Sequence, residues 1–166
     1  RAPRLSIGRQ DRTKPCRLLG NVLNEVARTS RMEQKFADNG LCFVCGGRNE
    51  AGLKLTLRTN SERGESEADV VFPSRFQGWE GIVHGGLLAT VLDEALIYAA
   101  GAKGFKCVTG EITIRFIKPA RTDVRQTVKG RFLEDKGRIV LAESEVLDAD
   151  GAQIARASGK LFKIEG

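Results

Sequence analysis

From His84 to Ala102 the chain runs for nineteen residues without a lysine or an arginine, and its apolar residues recur at helical spacing. At about 100° per residue, Leu87, Leu88, Val91, Leu92, Ala95, Leu96, Tyr98 and Ala99 cover half of the circumference. Thr90, Asp93, Glu94 and Ile97 hold the rest. A helix with so wide an apolar face has to be covered, and the flanking sequence supplies the cover. Before it, Leu53, Leu55 and Leu57 alternate with Lys54, Thr56 and Arg58, which predicts a half-buried strand over 53–58. A turn over 60–64 leads to a second strand, 65–72, with Ala68, Val70 and Phe72 on one face. A loop follows over 73–81. After the helix, four strands are expected over 105–118, 123–134, 138–148 and 152–164, as an antiparallel meander. Pro119 closes the first of these four. Asp135-Lys136-Gly137 and Asp148-Ala149-Asp150-Gly151 read as hairpin turns. The pattern predicts an α+β fold, a six-stranded antiparallel sheet wrapped around one long central helix.

The chain of 166 residues suits one such domain over 41–166. Its charge is uneven. Residues 1–40 hold nine Lys/Arg against four Asp/Glu, most of the net charge of +6, whereas 41–166 hold eighteen against seventeen. The positive charge thus belongs to an N-terminal arm, read as partly helical or disordered, with amphipathic spacing over 16–36. It does not form a basic face on the domain, so nucleic acid is not an expected partner. No apolar stretch is read as long enough for a bilayer and no secretory leader is evident, so the expected location is cytoplasmic. Cys16, Cys42, Cys45 and Cys107 have no disulfide-framework spacing. Cys42-x-x-Cys45 lacks two further metal ligands at suitable spacing and is read as local structure, with no metal or cofactor. There is no phosphate loop and no dinucleotide fingerprint.

Two features of the helix carry chemistry. Its first amides have no intrahelical acceptor and lie at the positive end of the helix dipole. Gly85 and Gly86 leave them uncovered by a Cβ, which suits an oxyanion or a polarised carbonyl. His84, the sole histidine, precedes them. Asp93 and Glu94 are adjacent acids with no cation on their own helix. On an exposed edge they would only solvate the helix. Partly buried, a carboxylate needs a partner or a purpose, because desolvation penalises its charge.

The run His84-Gly85-Gly86-Leu87-Leu88-Ala89-Thr90-Val91-Leu92-Asp93-Glu94-Ala95 resembles the central helix of hotdog-fold thioesterases, in particular the PaaI-like branch. Similar to the same family are the approach from Phe76 to Val83, the stretch from Val108 to Ala120, and the opening Cys42-Phe43-Val44-Cys45-Gly46 with Asn49 and Gly52-Leu53. The resemblance covers about 41–164. It implies hydrolysis of an acyl-CoA thioester. The carbonyl would point at the amide of Gly85 or Gly86, beside His84. Asp93 of a neighbouring subunit would be nucleophile or general base, Glu94 the fallback acid, and Thr109 would position water. The family often has Asn six residues before the His, where this chain has Gly78. Gln77 or Glu80 stands beside that gap. Gln77, Trp79, Thr90 and Ile97 are candidate substrate contacts; Tyr98, Ile97, Phe76 and Trp79 are read as either acyl pocket or core; and Arg115, Lys118 and Arg121 are candidate partners for the phosphates of CoA. The implied assembly is a homo-oligomer, a dimer or a dimer of dimers.

A different class of function on the same fold is a non-catalytic acyl-CoA sensor that uses the basic arm to touch DNA. It has no use for Asp93 beside His-Gly-Gly, and the arm offers one helix where a helix-turn-helix needs two. A hydratase would need an Asp and a His on one loop, which this chain lacks.

Overall fold

A computed structural model describes residues 39–164. The helix expected over 16–36, and nearly all of the basic arm, lie outside the described residues. In chain order the elements are β1 (Arg58–Asn60), β2 (Glu65–Val71), a 3-10 turn (Ser74–Phe76), β3 (Gln77–Trp79), β4 (Ile82–Val83), α1 (Gly85–Ala102), β5 (Cys107–Phe116), β6 (Arg125–Lys136), β7 (Ile139–Leu147) and β8 (Gln153–Lys163). Six strands make one antiparallel sheet in the order β1-β2-β6-β7-β8-β5, and β3 and β4 form a separate small hairpin. The helix packs across one face of the large sheet, against every one of its strands.

Three sequence expectations need correction. The first strand is Arg58–Asn60 and shares only Arg58 with the expected 53–58; Lys54 sits at φ +52, a left-handed conformation that no strand continues through. The leucines still point inward: Leu55 is buried and Leu53 packs on the core, but their amides bond to Val44 O and Phe43 O rather than to the sheet. The four strands after the helix are not one meander. Only β6, β7 and β8 run as neighbours, while β5 crosses to the far edge of β8 and β2 fills the place beside β6. Finally, α1 is long and apolar enough by length and composition to cross a membrane, with mean hydropathy 1.3 over 18 residues. The sheet covers its apolar face instead: Leu88, Val91, Leu92, Ala95, Leu96, Ala99 and Ala100 are buried.

Alternation along the strands explains the fit. In β7, Val140, Ala142, Ser144 and Val146 face inward with lighter burial between them. Helix and sheet approach so closely that a Cβ on Gly130 of β6 would lie 2.2 Å from the carbonyl oxygen of Ala95. Two buried serines complete the contact: Ser66 donates to Ala95 O at 2.8 Å and Ser144 to Leu92 O at 2.9 Å. These bonds fix the rotation of α1 about its axis. Leu92 and Ala95 face the middle of the sheet, Asp93 turns towards its β5 edge, and Glu94 turns towards Cys42.

Candidate active site

The start of α1 is held from two sides. His84 N donates to Phe76 O and Val83 N donates to Ala120 O, so the end of the 3-10 turn and the loop after β5 clamp the His-Gly-Gly segment. His84 is the N-cap, and its Nδ1 accepts the amide of Gly86 at 3.0 Å. That amide is therefore engaged by the protein itself. The Gly85 N–H, at the first helical position, has no acceptor among the described residues. Of the two candidate donors, Gly85 is the one available to a ligand. The ring of Phe116 flanks it, 3.6 Å from where a Cβ would stand. Thr90 donates back to Gly86 O at 2.8 Å and so spends its hydroxyl within the helix.

Asp93 is half-buried two turns further on. Thr109 of β5 donates its Oγ1 hydrogen to Asp93 Oδ1 at 2.6 Å, a charge-assisted bond. A β-bulge makes this contact possible. The pairing of β5 with β8 slips between Thr109 and Glu111, leaving Gly110 unpaired. On one side of the bulge Ile112 and Ile114 pack on the core; on the other Cys107 and Thr109 point inward. Simple alternation from Ile112 would turn Thr109 outward, and the extra residue turns it back onto the helix.

Glu94 takes another direction. It lies beside the N-terminal segment, with Cys42 Sγ 3.9 Å from both Oε1 and Oε2. Cys45 is next to it, and Tyr98, one turn along α1, hydrogen-bonds Cys45. Burial, with Glu94 adding to it, pushes the Cys45 thiol up to about 12. Tyr98 is raised as well, first by its bond to Cys45. Sequence reasoning missed this cluster, because 49 to 52 residues separate the cysteines from Glu94. The available hint was that Glu94 and Tyr98 share one helical face.

The remaining candidates scatter. Lys118 is ion-paired with Asp148, so its charge is already matched. Arg115 and Arg121 are exposed and form no ion pair among the described residues. Arg121 is bridged to Ile82, close to His84 in sequence, and its carbonyl accepts from the side chain of Gln126 at 2.8 Å. Gln77 accepts the Gly81 amide at 3.1 Å and closes the β3–β4 turn. Trp79 is 82% exposed at the tip of that hairpin. Ile97 packs against the inner core with Leu96 and Leu161.

The family model described as Thioesterase superfamily matches residues 80–155, the span that holds the His-Gly-Gly turn, α1, Asp93 and Thr109. A protein of Saccharolobus solfataricus named "Putative esterase SSO2140" is 27% identical over 105 residues, 62% of this chain and 74% of that one. Among solved structures, the E. coli PaaI protein from the phenylacetic acid degradation operon superposes with a TM-score of 0.63 at 20% identity, covering 69% of this chain and 82% of that one. The smu.793 protein of Streptococcus mutans UA159, solved bound to acetyl CoA, gives 0.62 at 19% identity, covering 66% and 88%. At these identities the structural likenesses speak for the fold.

Proposed function

We propose that the chain is a thioesterase that hydrolyses acyl-CoA thioesters at sites shared between two copies of itself; the match of residues 80–155 to the thioesterase superfamily and the likeness of the fold to PaaI support this reading. The acetyl CoA bound in the similar smu.793 structure supports the choice of substrate class. The observation that carries the proposal is a carboxylate held by a threonine, 2.6 Å apart, on a helix whose first amide is open.

A thioester carbonyl is weakly resonance-stabilised. Its hydrolysis needs a donor at the oxygen and a base near the carbon. Gly85 N–H, at the positive end of α1, supplies the donor. Thr109 occupies Asp93 Oδ1, which leaves Oδ2 for a water molecule. Asp93 takes a proton from that water as its oxygen bonds to the thioester carbon. The oxyanion that develops lies at Gly85. When the C–S bond breaks, the sulfur leaves with the electron pair and takes up the proton held by Asp93. The products are one carboxylic acid and one CoA thiol, and atoms and charge balance.

Distance calls for the second copy. Gly85 and Asp93 are eight residues apart on one helix, about 12 Å at 1.5 Å per residue. One carbonyl cannot meet both within a single chain. The outer edge of β5, unpaired among the described residues and with Phe116 and Ile117 exposed at its end, is where a second copy would continue the sheet and bring its own Asp93 to this Gly85. Arg121, beside the same turn, is placed to meet phosphate at the mouth of the site.

The test is thiol release from a panel of acyl-CoAs. Asp93→Ala should lower turnover at least about 100-fold on the best substrate while the circular dichroism of the fold is kept. Unchanged turnover would remove Asp93 from the chemistry.

A further inference from the structure

We propose that Cys42, Cys45 and Glu94 form a zinc site that ties the N-terminal segment to the central helix. Their ligand atoms lie within 4.8 Å of one another, all three residues are half-buried, and no bond joins the two thiols. Cys42 Sγ stands 3.9 Å from each oxygen of Glu94. Zinc–sulfur and zinc–oxygen bonds of about 2.3 and 2.0 Å at a tetrahedral angle put a sulfur and an oxygen ligand about 3.5 Å apart. A contraction of a few tenths of an ångström brings Cys42 and Glu94 to that spacing, and the set as a whole, within 4.8 Å, closes to a coordination shell by shifts of no more than about 1 Å.

The backbone is arranged as a thiolate site needs. Val44 N–H points at Cys42 Sγ at 3.4 Å, a bond that stabilises negative charge on the sulfur. Gly46 N donates to Cys42 O at 3.0 Å and closes the turn that brings the two sulfurs together. No other residue fits at 46, since a Cβ there would lie 2.4 Å from Cys42 O. Without a cation, two thiols and a carboxylate crowd one partly desolvated place. A divalent ion turns that crowding into attraction and drives off the thiol protons. Three protein ligands leave the fourth position to a water molecule. Such an ion would tie Cys42–Gly46 to α1 at the residue next to Asp93. It takes no part in the thioester reaction proposed above, and its failure would leave that reaction standing.

The full chain, purified without chelators or metal-affinity resin, is incubated with zinc chloride under a phosphine reductant, desalted, and assayed for metal. About one zinc per chain is expected, falling below a tenth of that in Cys42→Ser and Cys45→Ser and unchanged in Cys107→Ser. Cobalt(II) loading of the unaltered protein should give the near-ultraviolet thiolate charge-transfer band of tetrahedral sulfur ligation, a readout that requires no variant to fold. Glu94→Gln should keep that band but lose cobalt to a chelator sooner. Unaltered protein that retains no zinc, equal zinc in the two serine variants, loss of zinc in Cys107→Ser, or cobalt without the thiolate band would each overturn the site.

Discussion

At Asp93 one carboxylate oxygen is held by the Thr109 hydroxyl and the other is left for chemistry. Thr109 is a positioning residue on this account, which makes its removal distinctive. Thr109→Val keeps the shape and the β-branch but loses a hydrogen bond to a charged group, worth about 1.5–3 kcal/mol. At 1.36 kcal/mol per decade, kcat should fall between about 10- and 100-fold with KM nearly unchanged. Thr109→Ser, which restores the hydroxyl, should recover most of it. Equal loss in both variants would mean that strand packing, not the hydroxyl, matters there. The acid and the His-Gly-Gly turn were legible in the sequence because they are local. The assignment of the donor to Gly85 was not, since nothing in the residue order says that the ring of His84 engages Gly86. The separation of roles between the adjacent acids was also hidden. One helical step of about 100° sends Asp93 towards β5 and Glu94 towards the cysteine turn.

Elements place these residues, and two of their contacts invite tests. Gly130→Ala would set a Cβ 2.2 Å from the Ala95 carbonyl oxygen and 2.5 Å from Ser66 Oγ. Since the nearest atom belongs to helix backbone, the helix must lift from β6, at a cost of roughly 3 kcal/mol, measured by urea unfolding. Wild-type stability in that variant would contradict the close seating of α1. The second contact is at the β7–β8 turn, where Asp148 pairs with Lys118 and accepts the amides of Asp150 and Ala152. Lys118 first, then the Ala152 amide, hold its carboxyl below the ordinary carboxylate range. A depressed carboxyl stabilises the fold above its unfolded value and loses that contribution as the pH falls through its folded value. Asp148→Asn should therefore be less stable than the wild type at neutral pH, with the gap closing in acid below the ordinary carboxylate range. A gap independent of pH would assign the effect to the turn geometry instead. The positions of β2 and β5–β8, though not that of β1, followed from alternation. Their neighbours did not, because the route of β5 to the far edge is set by the covering of α1 and not by any local pattern. A glycine inside the pattern of β5 hinted at a bulge, but only the pairing with β8 shows that it turns Thr109 inward.

At the scale of the whole molecule, the proposed reaction makes the single chain a carrier of two half-sites. A broad hollow does cross the outer face of the sheet, among Arg58, Lys129, Arg131, Glu143, Glu145 and Arg156, but none of its lining belongs to the candidate site. The central claim is that one copy's Gly85 works with the other copy's Asp93, and two inactive variants can test it together. Gly85→Pro removes the amide hydrogen and puts a ring carbon in its place: proline is tolerated at the first helical position, His84 before it, at ψ 129, already has the extended backbone that proline requires, and a Cβ there meets the Phe116 ring at an ordinary 3.6 Å. Asp93→Ala removes the base and the acceptor of the Thr109 hydroxyl. Unfolded together and refolded as an equal mixture, half of the dimers are mixed, and each mixed dimer regains one complete site of two, so about one quarter of wild-type thiol release should return. If mixed dimers form and release stays at the level of either variant alone, the shared site is wrong.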